Sequence, residues 1–184
     1  MNPVLPFADI HTHRPDAGPD AVICVDPSRT PVTPLLPGRH YSVGIHPWRA
    51  LDATPEAWAA LADMARRSEV VAIGEAGLDT LRGPGLDAQL PVFVRQARLA
   101  DEVGKPLVIH AVRAWQQLIA LRRSLSPAQP WIIHGFRGKP ALARQLVAHG
   151  FHLSLGTRYN PAVKAVIPPD RLHSETDAFD DASE

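Results

Sequence analysis

His11 and His13 stand two residues apart, just after the short apolar run Pro6-Phe7-Ala8-Asp9-Ile10. Side chains of an extended chain alternate faces, so Asp9, His11 and His13 are expected to point the same way. Two imidazoles one strand step apart can hold one divalent ion, with Asp9 orienting an imidazole from behind. Groups of the same chemistry follow later apolar runs: His46 in Gly44-Ile45-His46-Pro47, Glu75 and Asp79 in Gly74-Glu75-Ala76-Gly77-Leu78-Asp79, then His110, His134 and Glu175-Thr176-Asp177. Imidazole with carboxylate suits borderline-hard ions such as zinc, manganese or, with fewer histidines, magnesium. A shared carboxylate can set two ions about 3.5–4 Å apart, a spacing suited to in-line displacement at phosphorus.

The elements that must bring these groups together are short and regular. Strand-like runs occur at Phe7–Ile10, Ala21–Val25, Tyr41–Ile45, Val70–Ile73, Pro106–Ile109, Trp131–Ile133, Phe151–Leu155 and Arg171–Ser174. Their near-continuous apolarity suits strands buried on both faces of a parallel sheet. Helical stretches separate the later runs. Thr54 caps one that begins at Pro55, with Trp58, Leu61, Ala62 and Ala65 on one stripe. Leu90, Phe93, Val94 and Ala97 repeat that spacing in a second, ending near Gly104. Trp115, Leu118 and Ile119 begin a third that closes near Pro127, Pro140 to His149 forms a fourth, and Pro161 to Val166 allows a weaker turn. Eight strands alternating with helices predict an α/β fold, a TIM-type (β/α)8 barrel with right-handed crossovers. At 184 residues the chain is shorter than the roughly 250 of a typical barrel. The shortening falls at His13–Asp20, at the proline-rich Asp26–Arg39 and after Asp177, so a single compact domain over 1–184 is expected, with reduced helices around strands one, two and eight.

Composition narrows the class. Apolar residues make up 45% and charged residues 21%, ordinary for a globular domain. Formal net charge is +0, so a polyanion must be gripped by local groups and not by a global field. Arg14, Arg49, Arg113, Arg137 and Arg158 all follow strand ends and form a candidate ring of phosphate contacts. Cys24, alone of its type, allows no intrachain disulfide and points to a reducing cytoplasmic setting. The opening Met1-Asn2-Pro3-Val4-Leu5 has no signal-peptide pattern. No apolar run approaches the roughly 20 residues of a membrane span.

The stretches DIHTH, GIHPW, AIGEAGLD, PLVIHAVRA, IIHGFRG, HLSLG and SETDA resemble, in order, the motifs of TatD-like metal-dependent hydrolases. The resemblance runs from Asp9 to about Ala178. It implies a TIM barrel in which His11, His13 and Asp177 hold one ion while Glu75 bridges to a second held by His110 and His134. It also implies a deoxyribonuclease, since the better-known members are DNases and 3′-to-5′ exonuclease activity is described for some. The substrate is then DNA, and Asp177, with one oxygen free of the ion, is the candidate general base beside Glu75. Glu175, one step deeper on the same face, and Asp9 are read as supporting the ligands from behind. Arg14, His46, Arg113 and Arg137 are read as substrate contacts, with a hydrogen-bonded structural role equally open for His46. Trp48 fits either stacking on a base or closing the barrel top, and Asp79 fits a turn cap.

Three features depart from the pattern. The arginine usual two residues after the strand-five histidine is displaced to Arg113, leaving Val112 in its place. Strand eight, Leu172-His173-Ser174, is polar for a barrel, and the covering helix after Asp177 is missing, so a homodimer that covers the last strand is one expectation. A metal-dependent amidohydrolase or esterase acting on a small molecule stays open as an alternative. So does a non-catalytic binding protein on a trimmed barrel.

Overall fold

In the computed structural model the described residues are 4–29 and 31–178. The acidic stretch 179–184, to which the missing last helix was read, lies outside them. Eight parallel strands follow in sequence order: β1 (Asp9–Thr12), β2 (Ala21–Val25), β3 (His40–Val43), β4 (Val70–Asp79), β5 (Leu107–Val112), β6 (Trp131–Ile133), β7 (His152–Leu155) and β8 (Leu172–Ser174). Just past β8 the Asp177 N–H donates to the His11 carbonyl (3.0 Å), and the His13 N–H to that of Ala178 (2.8 Å). These bonds bring the last strand back to the first and close the barrel.

The helices form where the periodicity places them. α1 (Pro55–Met64) starts at Thr54, whose hydroxyl accepts from the Ala57 N–H. α2 (Leu86–Val103) stops at Gly104 in the left-handed conformation. α3 (Trp115–Leu125), α4 (Pro140–Ala148) and the one-turn α5 (Pro161–Lys164) complete the wall. Two 3-10 turns, Pro47–Asp52 and Pro169–Arg171, fall in stretches the sequence leaves unassigned. Among the described residues no helix separates β1 from β2 or β2 from β3, as the thin composition there predicts.

Two apolar regions fix the scaffold. Trp58, Leu61, Phe93, Leu107, Trp131 and Phe151 belong to the layer between strands and helices. Leu5, Ile10, Ala72, Val108 and Ile132 form a separate plug. Burying each large aliphatic side chain contributes roughly 1.5–3 kcal/mol. His110 and His134 lie two residues beyond Val108 and Ile132, so strand alternation carries them to the same inner face, one layer above the plug. The plug is dry and the layer above it is polar.

β4 runs six residues beyond its predicted end. The apolar run breaks at Gly74, but pairing to β5 continues through Ala76↔Ile109, Gly77↔His110, Leu78↔Ala111 and Asp79↔Val112. Gly77 is required there, since a Cβ would lie 2.0 Å from the His110 carbonyl oxygen. Glu75 and Asp79 therefore sit within a strand and not in a loop after it.

Candidate metal centre

Glu75 lies at the centre of the barrel mouth, 3% exposed. Its two oxygens face different imidazoles. Oε2 is 3.3 Å from His11 Nε2 and 3.6 Å from His13 Nε2. Oε1 is 2.8 Å from His110 Nδ1, 2.8 Å from His134 Nε2 and 3.2 Å from His46 Nε2. Asp177 enters from past β8, with Oδ1 3.7 Å from His11 Nε2 and 3.8 Å from His13 Nε2. It adopts φ 48°, a left-handed conformation that aspartate tolerates better than most residues. The six predicted ligands thus converge from strands β1, β4, β5 and β6 and the segment after β8.

The hydrogen bonds behind these groups decide which nitrogen faces inward. Asp79 Oδ2 lies 3.0 Å from His110 Nε2. Nδ1 of the same ring lies 2.8 Å from Glu75 Oε1, so the imidazole spans two carboxylates, and with an ion on Nδ1 the Nε2 proton would be held by Asp79. Asp79 is itself pinned: Oδ2 accepts from Trp48 Nε1 (2.7 Å), and Oδ1 accepts from the Leu81 and Arg82 amides (2.8 and 3.0 Å). The turn-cap reading of Asp79 holds, and the same side chain also orients His110. Trp48 likewise closes the top of the barrel while 42% of it stays exposed. Glu175 Oε1 accepts from the Gly135 N–H at 2.6 Å and faces His134 Nδ1 at 3.4 Å, leaving Nε2 toward Glu75.

His46 differs from the others. The Trp48 N–H donates to its Nδ1 at 3.2 Å, which leaves Nε2 as a donor toward Glu75 at 3.2 Å, although His46, Glu75 and His110 also lie close enough together to share an ion. Asp9 also does something other than orient a ring. Its Oδ1 accepts from the His11 and Thr176 backbone amides and its Oδ2 from the Thr176 hydroxyl at 2.6 Å. It clasps the segment that carries Asp177 onto β1.

The predicted substrate arginines are spread along the rim. Arg137 and Arg158 line a cleft of about 170 Å³ with Gly135, Gly156, Thr157, Glu175, Thr176 and Asp177. Arg113 is exposed at the end of β5 with φ 51°. Arg14 pairs with Asp16 at 2.9 Å. Arg49 binds Ser28 and Asp52, which ties it to the loop after β2.

Electrostatics follow from the crowding. Burial would raise the Glu75 pKa, but the facing His134 and the bonds from His11 and His110 hold it well below the usual carboxylate range. Burial would lower His134, yet Glu75 and Glu175 hold it well above its usual value. His13 is pushed down to about 3 by burial and then by His11. Burial raises Asp177, partly opposed by His134 and His11. Nδ1 of the fully buried His11 has no hydrogen-bond partner among the described residues, and its Nε2 faces Glu75 Oε2 at 3.3 Å and Asp177 Oδ1 at 3.7 Å. A buried imidazole nitrogen set between two carboxylates fits a divalent cation.

Sequence reasoning missed three residues here. Gln96 Oε1 accepts from the Ile45 N–H at 2.8 Å, and its Nε2 donates to the Ile45 carbonyl at 3.0 Å, fixing the backbone just before His46. Gln89 clamps Asp79 in the same way, at 2.8 Å in each direction. Two glutamines seven residues apart on the buried stripe of α2 are a legible signal, because an apolar face seldom carries polar groups without partners. Cys24 of β2 is the third, and its sulfur lies within 4.8 Å of ligand atoms of His11, His13 and Glu75.

A family model for TatD related DNases matches residues 36–182. The uncharacterized metal-dependent hydrolase YabD of Bacillus subtilis is 36% identical over 146 residues, covering 74% of this chain and 57% of the relative. The 3′-5′ ssDNA/RNA exonuclease TatD of Cronobacter sakazakii is 35% identical over 153 residues, covering 74% of this chain and 56% of the relative. The chain thus spans little more than half the length of these curated relatives. Among solved structures, the Escherichia coli TatD homolog YJJV superposes with a TM-score of 0.74 at 21% identity, over 95% of this chain and 80% of that one.

Proposed function

The chain belongs to the TatD related DNase family, and on that premise we propose that it is a divalent-metal-dependent hydrolase of phosphodiester bonds in nucleic acid, a deoxyribonuclease working from a 3′ end. The observation that carries this reading is the division of Glu75 between two sets of imidazoles, His11 and His13 on Oε2, His110 and His134 on Oε1. That is the arrangement a carboxylate needs to serve two cations at once.

In this proposal His11, His13, Asp177 and Glu75 would hold one ion, and His110, His134 and Glu75 would hold the second. Bound zinc, manganese or magnesium ions supply Lewis acidity and positive charge at the scissile phosphoryl group. The protein's own groups do the rest. Asp177, made more basic by burial, accepts the proton of the attacking water. Asp79 and Glu175 hold His110 and His134 in the required tautomers. His46 donates from Nε2 to Glu75 and so limits rotation of the bridging carboxylate. Arg137 and Arg158, beside Asp177 in the rim cleft, grip the phosphate next to the cut, and Arg113 and Arg14 reach for those further along the strand. The proposal also sets the reaction in the reducing cytoplasm, where Cys24 is not oxidised, with a second copy of the chain covering the last strand.

Hydrolysis of 5′-labelled single-stranded DNA, measured with added divalent ion and again with chelator, tests the reading. Stepwise release of nucleotides that chelator abolishes is expected. Equal cleavage by the Glu75→Gln protein would sink it.

A further inference from the structure

We infer that Cys24 is a ligand of the ion held by His11 and His13, so that this half of the centre is a thiolate-bearing site that selects zinc-class ions over magnesium and manganese. The inference rests on the proposed metal centre and adds to it a residue and a metal preference. Ligand atoms of His11, His13, Cys24 and Glu75 all lie within 4.8 Å of one another. Four donors that close can surround a single cation, since tetrahedral zinc places its nitrogen and oxygen ligands at roughly 2.0–2.2 Å and sulfur at about 2.3 Å. A second feature points to the same occupant. His11, buried completely, has no hydrogen-bond partner for Nδ1 among the described residues, and its Nε2 faces Glu75 at 3.3 Å and Asp177 at 3.7 Å.

The placement follows from β2. Register pairs Cys24 with Ser42 of β3, and Ile23 and Val25 on either side of it belong to the apolar layer toward the helices. Alternation therefore sends Cys24 to the inner face that carries the imidazoles. It is half-buried on a strand whose other residues are buried. On binding, the thiol proton passes to solvent and a metal–sulfur bond forms, with no change of oxidation state. With Asp177, which the proposed function gives to the same ion, the donors would be two imidazoles, two carboxylates and one thiolate, a mixed set softened by the sulfur. Thiolate favours zinc, whereas magnesium and manganese prefer oxygen donors.

The chain has one cysteine, so any metal–sulfur signal from it is that of Cys24. The test loads the full chain, stripped of metal, with cobalt(II) and separately with zinc. We expect a near-ultraviolet thiolate-to-cobalt charge-transfer band in the unmutated protein, lost in Cys24→Ser while the visible cobalt bands persist. X-ray absorption of the zinc form is expected to show a sulfur shell at about 2.3 Å. Zinc affinity should fall in Cys24→Ser by at least the roughly 10–100-fold that loss of a supporting side chain produces, and manganese affinity much less. Stoichiometric cobalt with visible bands but no charge-transfer band, and no zinc–sulfur shell, would overturn the inference while leaving the metal centre standing. No cobalt or zinc bound at any concentration would overturn the metal reading itself and this inference with it. Both spectra of the unmutated protein decide the matter even where Cys24→Ser fails to fold.

Discussion

Asp79 Oδ2 sits 3.0 Å from His110 Nε2 while Glu75 Oε1 sits 2.8 Å from Nδ1, so one imidazole is held between two carboxylates. The Asp79 carboxylate receives Trp48 Nε1 on one oxygen and the Leu81 and Arg82 amides on the other. Both oxygens are thus filled by donors, and the side chain has no freedom to turn. A barrel-top tryptophan, a turn and a candidate ligand are coupled through one residue.

Asp79→Asn should uncouple them. The amide NH₂ cannot face Leu81 and Arg82, because both donate, so it is forced against Trp48 and His110, which also donate. His110 loses its acceptor and with it the tautomer that turns Nδ1 to Glu75. Metal affinity is expected to fall roughly 10–100-fold with the circular dichroism unchanged. Titration calorimetry with zinc reads the loss, and unaltered affinity would remove Asp79 from any orienting role.

Metal should stabilise the fold through Glu75. Divalent ion at 100 times its dissociation constant is expected to add about 2.7 kcal/mol, or roughly 5–10 °C in melting temperature for a chain of this size. Glu75→Gln leaves an amide nitrogen where an anionic oxygen is needed. It should show a much smaller gain and lose at least about 10²-fold in DNA hydrolysis. Parallel melts with and without chelator check both statements.

A pH dependence is expected away from the centre. His152 Nδ1 and His173 Nε2 lie 3.2 Å apart across β7 and β8, with stacked rings. Burial, then Arg171 for His152 and His152 for His173, pushes each down to about 4 from 6.5. Between those values the unfolded chain binds more protons than the folded one, so stability rises with pH. The contribution is complete above about 6.5 and is lost as pH falls toward 4, with a slope of up to about 1.4 kcal/mol per pH unit for each histidine. Urea melts from pH 7 to 4.5 should show a shallower loss for His152→Asn, and equal slopes would refute the assignment.

The rim cleft beside Asp177 should bind phosphate through Arg137 and Arg158. Arg137→Ala is expected to raise KM for single-stranded DNA with kcat little changed, and to lower the salt slope of binding by about 0.7. A fall in kcat at constant KM would place Arg137 in the chemistry instead.

Much of this protein was legible from residue types and order. Every strand but β4 falls within three residues of its apolar run, because a strand buried on both faces must be apolar along its length. Thr54-Pro55 and Gly104 mark helix ends through local capping chemistry that needs no distant partner. The convergence of His11, His13, Glu75, His110, His134 and Asp177 was also foreseeable, since parallel strands deliver their C-terminal ends to one rim. Tertiary structure alone decided what stands behind those groups. That His46 turns a donor toward Glu75 depends on the Trp48 amide, and that Asp9 clasps Thr176 depends on barrel closure across 167 positions. The extension of β4 past Gly74 depends on pairing with β5, which a scan of apolar runs does not see. The approach of Cys24 to His11 depends on register and the barrel's curvature. Hydrophobic pattern and capping are local and survive in a one-dimensional reading, whereas a tautomer or a fourth donor is set by atoms distant in sequence and meets its partner only after the barrel has closed.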